Sequence, residues 1–220
     1  EPLLAEALAL RLAELGPDHP EVATSRNALA AVYWIQGRLG EAEVEVREAL
    51  AAQERRLGPD APEVATTLNN LAILVRSQRR FGEAAELYRR ALAIKEGTLG
   101  GADLSVARTL SNLGLVEQSL GEHDAARASF ERSLEIKRRE LPPDHPSIAA
   151  TLANLAGLAL VTGELDRAER LYRDALAIKE KAYGPEHPEV ARDLDNLALV
   201  HLEQERISEA LELAGRATAI

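Results

Sequence analysis

Histidine and acidic side chains are the candidates for metal binding and acid–base chemistry in this chain of 220 residues. Three of its five histidines, His19, His145 and His187, occupy the same position of a recurring segment, at least 42 residues apart. Equivalent positions of stacked helical units lie roughly 10 Å or more apart, whereas zinc ligands lie about 2.1 Å from the metal. The sequence therefore favours turn residues beside helix N-termini, and it predicts no metal or cofactor.

Acidic side chains are abundant, but their spacing indicates helix faces rather than a catalytic set. Glu131 and Glu135 lie beside Arg132 and Lys137, and a similar pair joins residues 169 and 173. Such pairs at helical spacing are typical of solvated helix surfaces. The chain contains no cysteine nucleophile and neither phosphate-binding pattern, GxxxxGK[ST] or GxGxxG. We therefore expect a protein that is not an enzyme.

One polar series is not explained by solvation alone. Asparagine recurs every 42 residues between leucines, at Asn70, Asn112, Asn154 and Asn196. Asparagine is a mediocre helix former, so a fourfold mid-helix recurrence needs a reason. Two interpretations are open. The amides could bond to a neighbouring helix, or they could line a groove and bond to the backbone of a peptide, because an amide both donates and accepts.

Helical spacing extends this candidate groove to neighbouring side chains. The predicted peptide-binding set adds Asn69, Thr66, Arg108 and Arg192, which precede the asparagines by one or four residues. Trp34 either packs inside the protein or presents an aromatic ring in the groove. The set mixes amides, a few arginines and aliphatic residues, and it lacks the dense basic cluster of a carboxylate clamp.

The elements that must position these residues follow a period of 42. The segment LGPDHP (15–20) has counterparts that start at residues 57, 99, 141 and 183. Each is followed by a stretch with apolar residues at helical spacing, and then by a second helical stretch. Alanine holds one position of every second stretch: Ala42, Ala84, Ala126, Ala168 and Ala210. The pattern predicts an all-α protein of helical hairpins. A proline can start four of the first helices, and Asp103 is the N-cap candidate of the copy without one.

These residues resemble the tetratricopeptide repeat, with its small and large side chains at Leu71, Ala72, Ala84, Tyr88 and Ala91. The period of 42 and the LGPDHP linkers are similar to the kinesin-light-chain class of this repeat. The resemblance implies a right-handed α-solenoid of about five and a half hairpins, in which the asparagines hold an extended peptide. It also implies one domain over 1–220, divided into 1–19 (half repeat), 20–61, 62–103, 104–145, 146–187 and 188–220 (last repeat).

The resemblance implies a non-enzymatic scaffold that binds an extended peptide or protein segment in its concave groove. A second interpretation is a sensor or regulatory module of a larger bacterial protein. The last helix, SEALELAGRATAI (208–220), resembles the repeat that precedes caspase-like CHAT domains, and similar arrays form the sensor end of STAND NTPases.

Composition restricts the classes of molecule that the chain can bind. The net charge of −10 disfavours nucleic-acid binding, and no apolar run approaches the ~20 residues of a membrane span. The sequence shows neither a signal-peptide pattern nor cysteine, so we expect a cytoplasmic location. Apolar residues at both ends suggest that the chain is a fragment that could associate end to end. The residues expected to be partly uncovered are Leu4, Ala7, Leu8, Leu12, Leu211, Leu213 and Ile220.

Overall fold

A computed structural model describes all 220 residues and contains eleven α-helices and no β-strand. The helices are α1 (Pro2–Leu15), α2 (Pro20–Ile35), α3 (Leu39–Leu57), α4 (Pro62–Ser77), α5 (Phe81–Leu99), α6 (Leu104–Ser119), α7 (His123–Glu140), α8 (Pro146–Val161), α9 (Leu165–Tyr183), α10 (Pro188–Glu203) and α11 (Ile207–Thr218). This order confirms the prediction of one unpaired helix followed by five hairpins. None of the helices is long and apolar enough to cross a membrane.

Contacts between residues divide the chain into two compact units, Glu1–Val116 and Glu117–Ile220. Unit 1 contains α1 to α5 and most of α6, and its largest core cluster joins side chains of α2 to α6. Unit 2 contains the end of α6 and α7 to α11, with core clusters centred on α8 to α11. The single domain over 1–220 expected from the sequence stays a prediction.

Prolines and histidines define where the first helices begin. Four of the five first helices start at a proline, as predicted: Pro20, Pro62, Pro146 and Pro188. The three linker histidines precede such prolines, and the imidazole Nδ1 of each accepts a hydrogen bond, at 3.1–3.3 Å, from the backbone N–H two residues later. Asp103 replaces this arrangement before α6, where its carboxylate lies 2.7 Å from the Ser105 nitrogen. These bonds satisfy backbone donors that a helix N-terminus leaves unpaired.

The turn inside each hairpin requires a left-handed backbone at one position. Gly37, Gly121 and Gly163 have φ of 75°, 78° and 78° there. The two remaining hairpins place Arg79 and Glu205 at the equivalent position, with φ of 63° and 62°. A side chain disfavours this conformation, so these two turns are strained relative to the glycine turns.

The recurring alanines of the second helices lie inside the protein. All five, at positions 42, 84, 126, 168 and 210, are buried. One turn later, Val46, Tyr88, Phe130 and Tyr172 supply buried bulk to the same core. The alternation of a small and a large residue therefore sets the packing between the two helices of a hairpin and the next first helix.

The ends of the chain differ in part from the expectation. Leu8 is buried against Val22 and Leu29 of α2, so the prediction that it is partly uncovered was wrong. On α1, Leu3 and Leu10 are exposed instead. At the other end Leu211 of α11 is exposed, whereas Leu213 and Ile220 are partly covered by the core of unit 2.

Candidate functional site

A cavity of about 230 Å³ opens on the surface of unit 1, between the first helices of two consecutive hairpins. Its wall combines six apolar residues with two amides: Asn27, Ala30, Ala31, Trp34, Val46, Asn70, Ile73 and Leu74. Most of these lie on α2 and α4, and Val46 comes from α3. No charged side chain lines the cavity. Its chemistry therefore suits a neutral, largely apolar group.

The two amides of the cavity have unused hydrogen-bonding capacity. The Oδ1 atom of Asn27 is buried and accepts no hydrogen bond. Asn70 is exposed, and its amide makes no hydrogen bond in the structure. A buried acceptor without a partner costs free energy relative to a paired one. A ligand that donates to Asn27 would remove that cost.

Trp34 forms the aromatic part of the cavity wall. It lies in the last turn of α2 and remains 47 % exposed, although tryptophan is highly buried on average. The adjacent Ile35 is more exposed still and does not line the cavity. Trp34 therefore lines the cavity while part of its ring faces solvent, and its role in a peptide-binding groove stays a prediction.

The other asparagines of the series occupy equivalent positions. Each asparagine is the ninth residue of its first helix, in α4, α6, α8 and α10. Asn112, Asn154 and Asn196 are half-buried, and their amides form no hydrogen bond to a neighbouring helix. Asn112 belongs to unit 1, whereas Asn154 and Asn196 belong to unit 2. Within each unit the series thus presents amides that the fold itself does not use.

Two predicted groove residues have partners within the fold. Asn69 is buried, and its Oδ1 atom lies 3.4 Å from the hydroxyl oxygen of Thr109 on α6. Its side chain therefore joins two helices instead of facing a ligand. Thr66 is exposed, and its hydroxyl donates to the carbonyl of Pro62 one turn earlier, at 3.4 Å. This weak bond leaves its oxygen free to accept.

The two predicted arginines are exposed but differ in their surroundings. Arg192 forms an ion pair with Glu189 on its own helix. Arg108 lies near the ammonium group of Lys95, and the repulsion contributes to the lowered pKa of that lysine. Neither arginine lines the cavity of unit 1.

A buried lysine series was not predicted from the sequence, which assigned Lys137 to a solvated helix face. Lys95 and Lys137 are only 4 % and 7 % exposed. Their ammonium groups lie 2.8 and 2.7 Å from the hydroxyls of Thr109 and Thr151 on the next first helix. Burial lowers the pKa of each lysine to about 8. The signal that could have revealed them is the lysine period of 42 with a hydroxyl residue fourteen positions later.

The last member of this series has a carboxylate partner. Lys179 is fully buried and lies 2.8 Å from both oxygens of Asp193, which is also fully buried. Burial raises the pKa of Asp193, against the opposing attraction of the lysine. The pair occupies the equivalent of a lysine–threonine contact and joins α9 to α10.

Comparison with known proteins shows the family. A family model of the tetratricopeptide repeat matches residues 1–55, 36–97, 105–181 and 148–220. The chain belongs to the tetratricopeptide repeat family, and its fold class is the all-α solenoid of helical hairpins predicted from the sequence. A search of curated protein sequences gives no significant match.

Solved structures support the kinesin-light-chain-like class. A protein of Podosopora anserina described as a kinesin light chain with nearly identical TPR-like repeats is 26 % identical, with a TM-score of 0.79. The match covers 91 % of this chain and 95 % of that one. BtubC (BKLC) from P. vanneervenii has a TM-score of 0.82 at 24 % identity, over 98 % of this chain and 85 % of its own. Tetratricopeptide repeats generally mediate protein–protein interaction and are generally non-enzymatic.

Proposed function

We propose that the chain is a non-enzymatic interaction module that binds an extended peptide or protein segment on the exposed faces of its first helices. In unit 1 the binding surface is centred on the cavity beside Trp34. The observation that carries this proposal is the pairing of an apolar cavity with amides that have no partner in the fold. The cytoplasmic location expected from the sequence stays a prediction.

An extended peptide fits both features of the cavity. Its backbone offers an N–H donor and a carbonyl acceptor at each residue, which match the Oδ1 atom of Asn27 and the exposed amide of Asn70. A neutral side chain can enter the space between Trp34 and Ile73, where no charged group opposes it. The volume of about 230 Å³ is below the ~300–1,000 Å³ of typical small-molecule sites, so one side chain is a better fit than a cofactor.

The apolar side chain and the amide hydrogen bonds should each contribute a few kcal/mol or less to the binding free energy, and variants can measure them separately. Burying one large apolar side chain contributes about 1.5–3 kcal/mol. Each amide bond to the peptide backbone contributes on the order of 1 kcal/mol. Binding should therefore depend on the cavity and on Asn70 together, while the sequence of the peptide matters mainly at the residue that enters the cavity.

A library selection tests this proposal. The intact chain is used to select binders from a random library of short peptides, and the best binder is titrated by fluorescence anisotropy. The variant Ala31→Leu fills the cavity with the residue that the fold already accepts at equivalent positions, Leu115 and Leu199. We expect it to weaken binding at least tenfold while the melting temperature stays unchanged. The exposed Ile35→Ala serves as a control and should bind as the unmodified chain does.

The result that would overturn the proposal is equally direct. A selection that yields no peptide above background would contradict peptide binding itself. Binders that are unaffected by Ala31→Leu and by Asn70→Ala would show that the peptide binds elsewhere. Asn69→Ala provides a further contrast, because loss of its buried contact with Thr109 should lower stability and leave affinity unchanged.

A further inference from the structure

Three clusters of four charged side chains join consecutive hairpins, and we call each a charge quartet. Two members lie one turn apart on the second helix of a hairpin, and two lie at the start of the second helix of the next hairpin. The quartets are Glu43, Arg47, Arg80 and Glu83 in unit 1, then Arg127, Glu131, Glu164 and Arg167, and finally Glu169, Arg173, Arg206 and Glu209 in unit 2.

The first and third quartets have the same charges and share three contacts, whereas the pair between Arg47 and Glu83 has no counterpart in the third. In the first, the Glu43 carboxylate lies 2.6 Å from Arg47 on its own helix and 2.8 Å from Arg80 of the next hairpin. In the third, Glu169 lies 2.7 Å from its helix neighbour, Arg173, and 2.9 Å from Arg206. A glutamine also donates to each central carboxylate, at 2.9 and 3.0 Å.

The middle quartet keeps the two contacts that join the hairpins in the first quartet, with every charge reversed. Arg127 takes the central position, and it pairs with Glu164 of the next hairpin. Arg167 lies 2.7 Å from Glu131 and 3.1 Å from Glu164. At the position of the two glutamines, the Thr162 hydroxyl oxygen lies 2.9 Å from Glu164, on the hairpin that now carries the carboxylate. The reversal is therefore complete within the quartet, and each native contact remains attractive.

The reversal changes what happens when hairpins of similar sequence pack on the wrong neighbour. If the hairpin of α8 and α9 packed on α3, Glu164 would face Glu43 and Arg167 would face Arg47. The central positions are only 13 %, 24 % and 12 % exposed in the three quartets. Like charges at these partly desolvated positions repel more strongly than on an open surface.

We propose that the reversed quartet fixes the order in which the hairpins pack and opposes the pairing of a hairpin with the wrong neighbour, in the same chain or in a second copy. Repeats of near-identical geometry can pair out of order or swap between molecules, which is a characteristic failure of repeat proteins. The apolar core distinguishes the hairpins only by the size of the bulky residue, because the buried alanine recurs in each. The charge pattern supplies a distinction that the core lacks.

A fourfold variant of the intact chain tests this proposal: Arg127→Glu, Glu131→Arg, Glu164→Arg and Arg167→Glu. It gives all three quartets the same charges and keeps each native pair complementary, so its melting temperature should match that of the unmodified chain. After refolding from denaturant at high concentration, size-exclusion chromatography should show at least about threefold more dimer and larger species. Equal monomer recovery for the two chains would overturn the proposal.

A variant that changes only the two quartet residues of one hairpin provides the internal control. The double variant Glu164→Arg with Arg167→Glu places like charges at the native contact and should melt at a lower temperature, and the fourfold variant should restore it. If the fourfold variant is as unstable as the double variant, charge complementarity does not hold the contact and the proposal fails. High salt should lower monomer recovery of the unmodified chain toward that of the fourfold variant, since screening removes the distinction. If the two chains still differed equally in monomer recovery at high salt, that result would also contradict the proposal.

Discussion

Two side chains in the hairpin turns occupy a backbone conformation that favours glycine. Arg79 and Glu205 have φ of 63° and 62°, whereas the other three hairpin turns have glycine at the equivalent position. The left-handed conformation costs an ordinary residue about 1–2 kcal/mol, and glycine adds about 0.5–1 kcal/mol of unfolded-state entropy. We therefore expect Arg79→Gly to raise the free energy of unfolding by roughly 0.5–1 kcal/mol, measured by urea titration.

The reverse substitution is the matched control. A Cβ added at Gly37 would meet no other atom within 4 Å, so Gly37→Ala tests the backbone conformation without a clash. It should lower the free energy of unfolding by about 0.5–1 kcal/mol, the same balance of backbone strain and glycine entropy with the opposite sign. A neutral outcome for both variants would show that these turns are not strained.

The buried lysines predict an unusual rise of stability at alkaline pH. Lys95 and Lys137 have pKa values lowered to about 8 by burial, whereas an unfolded lysine titrates near 10.5. Between these values the unfolded chain binds more protons, so the free energy of unfolding should increase with pH. From pH 8 to 9.5 we expect a gain on the order of 1–2 kcal/mol per lysine.

Denaturant titrations across this range check the alkaline prediction. In the double variant Lys95→Met with Lys137→Met, the free energy of unfolding should not rise with pH, because neither methionine titrates.

The titrations stop at pH 9.5 because burial raises the pKa of Tyr88 and Tyr172 to about 12. Unfolded tyrosines ionise near 10, so stability should fall again above that pH. If the free energy of unfolding of the double variant rose equally between pH 8 and 9.5, groups other than these lysines would cause the increase.

At the scale of the helices, close approach depends on the recurring alanine. Ala126 of α7 is fully buried, and Phe130 supplies the bulk one turn later. Ala126→Leu should therefore lower the free energy of unfolding by about 1–3 kcal/mol through overpacking. Thermal melts followed by circular dichroism measure the effect. Ala125→Leu is a control on the same helix, since residue 125 is more exposed, and an equal loss in both variants would contradict the assigned contact.

The elements were predictable from the sequence because their signals are local. A proline starts four first helices, glycine marks three turns, and alanine repeats on every second helix. Side-chain burial was harder to predict. Lys137 lies in a charged stretch, KRRE (137–140), so its sequence neighbours suggest a solvated helix end, whereas its burial depends on the next hairpin. Glu169 is likewise buried, because Gln204 and Arg206 of the following turn cover it.

The candidate site was predictable in part, for a similar reason. The period of 42 identified Asn70, and the exposed Trp34 was a candidate from its position on a first helix. The cavity itself was not predictable, because it depends on how α2 and α4 pack around Val46. Asn27 was missed because it lies one position from the asparagine series, beside an alanine at residue 28.

For the whole molecule, exposed apolar residues occur on the first and last helices. Leu3 and Leu10 are exposed on α1, as are Ile207 and Leu211 on α11. Exposed apolar surface promotes contacts between molecules. End-to-end association of the chain therefore stays a prediction, and light scattering over a range of concentrations measures it.

The central claim is that the chain binds an extended peptide beside Trp34, and this tryptophan is the only one in the chain. A peptide without tryptophan, selected from a random library, is titrated into the intact chain while tryptophan emission is recorded. Because the ring is about half exposed, burial by the peptide should shift its emission to shorter wavelength, with the same Kd as fluorescence anisotropy gives. Saturable binding by anisotropy with unchanged tryptophan emission would contradict the claim.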